Sequence, residues 1–260
     1  MVSIANMVLP SRPYGSVSVA LLTILLSSAA SSQDALQLFH KMQTALGGAD
    51  KIASIRDFEE TVRAQAWHND GRSMGEVRKR TRWIRPNILR VDQVGAEDTY
   101  VLYFDGTSGW QISPDRPLAA LDADGLKFAR NYLVGILLNL WLADRDPKRV
   151  ITSSGANIIV VATKGDPSQK TEITLDRATF LPMRETAISF SDPSHPVSRE
   201  TRLEQWRPVD GVEFPHLIFK FQGDTKLAEI TVEQIKLNRG LKPADLALKP
   251  RDQKPVMSGP

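Results

Sequence analysis

The hydrophobic pattern along the chain changes period three times. From Asp34 to Leu46 the apolar residues Leu36, Leu38, Phe39, Met42 and Leu46 fall mostly at helical spacing, and Gly47-Gly48 follows as a stop that tolerates positive φ. This predicts a short amphipathic helix. Ile55 to His68 then alternates in part, with Phe58, Val62, Ala64 and Ala66 on one face and Thr61, Arg63 and Gln65 on the other. Asn69-Asp-Gly71 marks a tight turn, and a second alternating run from Ser73 to Ile84 completes a hairpin. Further strands are predicted over Asn87–Val94, Thr99–Phe104 and Gly109–Ser113, separated by Gly95-Ala-Glu-Asp98 and the turn pair Asp105-Gly106.

At Pro114 the pattern predicts that the chain leaves the sheet, with Pro114 and Pro117 bracketing a polar connection. After Asp122-Ala-Asp124 a helix is predicted from about Gly125 to Ala143, its acidic pair at the positive end, and Asp144-Arg-Asp-Pro147 ends it. The stretch Tyr132 to Ala143 is apolar nearly all round. At about 1.5 Å per residue it is too short for a bilayer, which takes roughly 20 residues. It is therefore a buried core helix, the simpler reading, or a greasy lid over a cavity.

Strand patterning then returns over Asn157–Thr163, Lys170–Leu175, Leu181–Phe190, Ser198–Trp206, Val212–Phe221 and Lys226–Leu237. Sequential antiparallel strands at this spacing predict a mainly β fold with helices, in which a large curved sheet forms an open barrel. The concave side of such a half-barrel is too wide for strand side chains alone to fill and calls for helices or a ligand. The end of the chain, rich in Pro, Lys and Gly, predicts a disordered tail over residues 251–260.

Composition narrows the function. The chain has 260 residues and a formal charge of +3, far from what neutralising a phosphate backbone requires, so nucleic acid is excluded as a partner. There is no cysteine, which removes disulfides, thiolate metal sites, cysteine nucleophiles and a lipidated N-terminal cysteine. Arg12 is the lone charged side chain before the apolar run Val17–Leu26 and the small residues Ser27–Ser32. That order predicts a secretory signal peptide over residues 1–30, with Ser28 and Ala30 before the cut, a periplasmic location and one domain over residues 31–250.

Catalytic constellations are not evident. His40, His68, His195 and His216 show no metal-ligand spacing. Ser194, His195 and Asp192 supply triad types, but neighbours on one loop rarely reach the geometry acyl transfer needs. Glu59 and Glu60 point to opposite faces of a strand and cannot converge on one reacting centre. The glycines form no phosphate or dinucleotide loop. No enzyme, cofactor or metal is expected. Arg78-Lys-Arg-Thr-Arg-Trp-Ile-Arg85 places Arg78, Arg80 and Arg82 along one strand face, either as a solvated outer surface or as an electropositive stripe for an acidic partner, an anionic headgroup or phosphate.

Local motifs add a resemblance. Ala45-Leu-Gly-Gly-Ala-Asp-Lys-Ile52 precedes the first strand, and Tyr103-Phe-Asp-Gly-Thr-Ser-Gly-Trp110, Val209-Asp-Gly-Val-Glu-Phe-Pro215 and Ile235-Lys-Leu-Asn238 with Leu241 follow in order. Together with the order of elements these resemble the LolA-like family of periplasmic lipoprotein carriers and its outer-membrane lipoprotein-sorting relatives, over roughly Asp34 to Pro250. Leu246 stands where such sequences commonly place an aromatic. The resemblance implies an unclosed β-barrel, lidded by helices, whose apolar face holds a lipid or lipoprotein acyl chain for a membrane-bound acceptor, and a chain acting as a monomer without catalysis. Trp83, Tyr103, Trp110, Tyr132, Leu137 and Trp141 are the expected cavity contacts. An adaptor that binds another envelope protein through Arg78, Arg80 and Arg82 is the alternative.

Overall fold

The computed structural model describes residues 34–95, 99–114, 116–189 and 197–250. The expected leader, the loop carrying Asp192, Ser194 and His195, and the tail lie outside the described residues. Helix α1 covers 34–45 and a short α2 covers Ala49–Ala53. Six strands follow: β1 Asp57–Trp67, β2 Ser73–Ile84, β3 Ile88–Val94, β4 Thr99–Phe104, β5 Gly109–Ser113 and β6 Arg116–Ala120. The helical insertion comprises α3 Ala123–Val134, α4 Leu137–Leu140 and a 3-10 turn Ala143–Arg145. Seven more strands complete the sheet, β7 Arg149–Gly155, β8 Ile158–Thr163, β9 Asp166–Leu175, β10 Pro182–Ser189, β11 Val197–Val209, β12 Val212–Gln222 and β13 Thr225–Leu237, before α5 Pro243–Ala247.

All these strands form one 13-stranded antiparallel sheet in the order β6-β5-β4-β3-β2-β1-β13-β12-β11-β10-β9-β8-β7. The chain starts at the centre, meanders out to one edge, crosses over through the helical insertion to the other edge, and meanders back to pair β13 with β1. The edges β6 and β7 do not pair with each other, so the molecule is an unclosed β-barrel with helices.

Three expectations are corrected. The connection after Pro114 is not outside the sheet, because Arg116–Ala120 is a strand. Pro117 hid it, yet a proline that cannot donate to a ladder is tolerated on an edge strand, and β6 is an edge. Edge strand β7 escaped notice for a related reason: its outer part, Thr152 to Gly155, is polar and exposed. The predicted helix Gly125–Ala143 is broken at Gly135, after which Ile136 is extended. The Asn139 side chain donates to the Leu133 carbonyl at 2.8 Å, satisfying a group that the break exposes. Asp122 caps α3 by accepting from the Gly125 amide at 2.9 Å.

The core lies between the sheet and the helices. Phe39 and Met42 of α1, Leu46 just after it, Ile52 of α2 and Leu138, Leu140 and Trp141 of the insertion pack on Phe58, Trp83, Leu89, Leu102, Phe104, Ile159, Ile173 and Phe214 from the strands. The loop motifs interlock at one end of the barrel. Gly47 has φ +109°, and a Cβ there would sit 2.3 Å from the Gly211 carbonyl oxygen. Leu46 accepts from the Glu213 amide at 3.0 Å, and the Asn238 side chain accepts from the Arg56 amide at 2.7 Å.

Candidate functional site

Strand register assigns each side chain to a face. Phe58 pairs with Trp83, Trp83 with Leu89, and Leu89 with Phe104, which puts these four on the inner, helix-covered face. Alternation then sends Arg78, Arg80, Arg82, Arg90, Tyr103 and Trp110 to the outer face.

The six expected contacts therefore separate. Trp83 and Trp141 are both 0 % exposed, wedged into the packed core. Trp141 lies 5.7 Å from the Phe214 ring and 6.0 Å from Trp206, and its carbonyl accepts from Gln43 of α1 at 2.9 Å. Tyr132 and Leu137 are half-buried on the insertion. Tyr103 and Trp110, with ring centroids 5.8 Å apart, lie on the opposite face and cannot share a cavity with Trp83. Trp110 stacks there under Arg90, which is 1 % exposed and donates to Asp92, to the Leu246 carbonyl at 2.9 Å and to the Leu248 carbonyl. This guanidinium fastens α5 to the outer surface of β3.

The arginine stripe is largely neutralised. Arg80 meets Glu59 at 2.6 Å, Glu59 also receives Lys236 at 3.3 Å, and Arg82 pairs with Asp92. Arg78 and Arg80 stay exposed, Arg78 beside Glu76 at 3.4 Å, while Arg82 is shielded. A stripe engaged in this way is a solvated, self-paired sheet face.

The two halves of the insertion differ in attachment. Leu138, Leu140, Trp141, Leu142 and Ala143 are all buried, and Gln43 bridges this segment to α1 by donating to Trp141 and to Asp144 at 2.8 Å. In α3 only Ala129 and Leu133 are buried, while Phe128 is 51 % and Val134 38 % exposed. The Tyr132 hydroxyl reaches the sheet at Thr81 across 3.5 Å, the outer limit of a hydrogen bond.

Beyond the helices the inner face continues as a smaller apolar floor of Val62, Ala64, Ile230 and Val232, with Ile218 and Ala228 against it. Charged side chains stand among these residues. Lys79 is opposite Val62, Glu60 is opposite Thr81, Lys220 is opposite Ala228 and Thr201, and Glu185 is also opposite Thr201. Burial pushes the Glu60 carboxyl up, against the pull of Lys79, Lys220 and His216. The Tyr132 phenol beside Lys79 holds its ammonium up, aided by Glu60 and opposed by burial. Burial pushes Glu185 up to about 7, with Lys220 opposing. Burial and the neighbouring Lys79 push Lys220 down to about 8, although solvent reaches its side chain. Sequence reasoning missed this group. Its signal was alternation itself, since Lys79 shares the parity of Trp83, but the flanking arginines read as one basic run.

Among the described residues no set of His, Asp and Glu side chains gathers to hold a metal ion, and no helix is long and apolar enough to cross a membrane. No family model and no curated protein matches the chain. Solved structures do. A domain named for outer membrane lipoprotein sorting from Vibrio parahaemolyticus aligns at TM-score 0.52 and 11 % identity, covering 83 % of this chain and 97 % of that one. A LolA superfamily protein from Nitrosomonas europaea aligns at TM-score 0.52 and 16 % identity, covering 80 % and 97 %. A DUF1329 family protein from Desulfovibrio piger aligns at TM-score 0.55 and 13 % identity, covering 84 % and 96 %. The likeness is one of fold, and that fold is the LolA-like half-barrel.

Proposed function

We propose that this chain is a periplasmic carrier, exported by a leader over residues 1–30, that holds a lipid or a lipoprotein acyl chain between α3 and the inner face of its half-barrel and passes it to a membrane-bound acceptor. The observation that carries this reading is the division of the insertion into a fixed plug, α4, and a lightly attached cover, α3. A helix built only as core would bury its aromatic residues, whereas α3 buries only Ala129 and Leu133, leaves Phe128 51 % exposed and reaches polar groups of the sheet through Tyr132, at Thr81 and Lys79. Cargo would displace this cover and bury acyl chain at about 0.8 kcal/mol per CH2, with no covalent step. Tyr132 and Leu137, both half-buried on the insertion, are the contacts we assign to the cargo, with the Trp83 and Trp141 core as the wall behind them.

The test is native mass spectrometry of the mature protein prepared from a bacterial periplasm without detergent, followed by organic extraction. A stoichiometric lipid or acylated peptide is expected. A clean apo mass, with no uptake of added phospholipid or acylated peptide, would refute the carrier and leave the fold as a protein-binding module.

A further inference from the structure

We propose that the inner face beside and beyond α3 is a headgroup site, in which Lys79, Lys220 and Arg199 receive the acidic group of an acylated ligand whose chain lies along Val62, Ala64, Ile230 and Val232. The inference rests on the carrier reading and goes beyond it by naming the ligand class, an amphiphile whose head is a carboxylate or a phosphate.

Register supplies the first argument. Lys79 on β2 faces inward with Trp83, Lys220 on β12 with Ile218, and Arg199 on β11 with Thr201. Strands β2 and β12 are not neighbours in the sheet, because β1 and β13 lie between them. Even so, Lys220 responds to the charges of Lys79, Glu60, Glu185 and Arg199 together, so the curvature of the sheet gathers them into one electrostatic site.

The manner of pairing is the second argument. Outer-face charges make direct contacts, as Arg80 and Lys236 do with Glu59. Among the described residues no direct ion pair joins any two of Glu60, Lys79, Glu185 and Lys220, and Glu185 Oε1 is buried with no hydrogen-bond partner. Charge held on an inner face without an ion pair destabilises a fold even where, as at Lys79, a phenol lies beside it, and an apolar residue of similar size would serve structure better. Retention of these groups fits a binding role.

The sign of the charge selects the ligand. Lys79, Lys220 and Arg199 outweigh Glu60 and Glu185, and burial pushes Glu185 up to about 7, which leaves its carboxyl only partly charged at neutral pH. An added anion relieves the mutual repulsion of the cations, while an added ammonium group would increase it. Directly beneath lies the apolar floor, which suits an acyl chain and gives a free inorganic anion nothing.

Isothermal titration of the mature protein at neutral pH and low salt tests this, with lauroyl lysophosphatidic acid, laurate, monolaurin and inorganic phosphate as probes. Both acyl acids should bind at least about tenfold more tightly than the uncharged monolaurin, the gain expected of one charge-assisted contact. Lys79→Met/Lys220→Met should bring acid and monolaurin to within about threefold while monolaurin binding stays unchanged. If that double variant does not fold by circular dichroism, Lys79→Gln and Lys220→Gln singly should each reduce the preference. Raising the salt should weaken the acids selectively in the wild type. Equal wild-type affinity for acid and monolaurin, or a preference that survives loss of the lysines, overturns the headgroup site and leaves the carrier intact. Failure of every acyl probe overturns both, and phosphate binding as tightly as lysophosphatidic acid overturns the amphiphile in favour of a plain anion site.

Discussion

Replacing Trp141 tests whether α4 is fixed core or part of a movable lid. The indole is fully buried and lies against Phe214 at 5.7 Å and Trp206 at 6.0 Å. Truncating a buried tryptophan to alanine costs about 3–5 kcal/mol, of which the two ring contacts supply roughly 0.5–1.5 kcal/mol each. One term opposes this. Among the described residues Trp141 Nε1 is a buried donor with no partner, so its removal returns about 1 kcal/mol, the low end of the range because the donor is neutral. Trp141→Ala should therefore lose about 2–4 kcal/mol net. Trp141→Phe, which keeps a ring in the slot and deletes the orphan donor, should lose less than about 1 kcal/mol. Equilibrium urea unfolding reads both, and the alanine variant's midpoint should fall by roughly 1–2 M at a typical m-value. A Trp141→Ala variant within about 0.5 kcal/mol of wild type would show that α4 is not fixed core, and equal losses for Ala and Phe would refute the ring-contact account.

Four further expectations follow from the packing. Backbone amides of α3 should exchange with deuterium faster than those of α4, and equal protection would remove the division into cover and plug. Arg90→Met leaves the Leu246 and Leu248 carbonyls without their donor and should cost about 3–5 kcal/mol and expose α5 to limited proteolysis; an unchanged digestion pattern would count against the clamp. Gly47→Ala should destabilise by more than about 2 kcal/mol in thermal melts because its Cβ meets the Gly211 carbonyl, whereas Gly48→Ala, with similar φ and open space, should cost only about 1 kcal/mol. Glu185 has a folded-state pKa of about 7 against an ordinary 4.5, so the native state holds its proton longer than the unfolded chain, and stability should decline as pH rises from about 4.5 to 7. Glu185→Gln should flatten that decline by about 1–3 kcal/mol, judged from thermal unfolding at pH 5 and pH 7, and an identical decline in the variant would refute the assignment.

The amino-acid pattern by itself determined the strands that bury one face and wet the other. Phe58, Val62 and Ala64 alternating with Arg63 and Gln65 leave one way for β1 to lie, and the order of turn motifs led to the half-barrel. Edge strands β6 and β7 were illegible because an edge carries proline or polar residues that a central strand would reject. The apolar run Tyr132–Ala143 could not disclose its own division, since the break at Gly135 is stabilised by Asn139 and by what each half meets across space. The candidate site was hidden for the same reason. Trp110 and Trp83 are equally aromatic in sequence, yet register alone sends one beneath Arg90 on the outside and the other into the core. Lys79 and Lys220 are far apart along the chain and become one site only when the sheet curls. Periodicity is a local property that fixes which side of a strand is apolar, whereas a site is a convergence of distant strands, and only the curling of the sheet creates it.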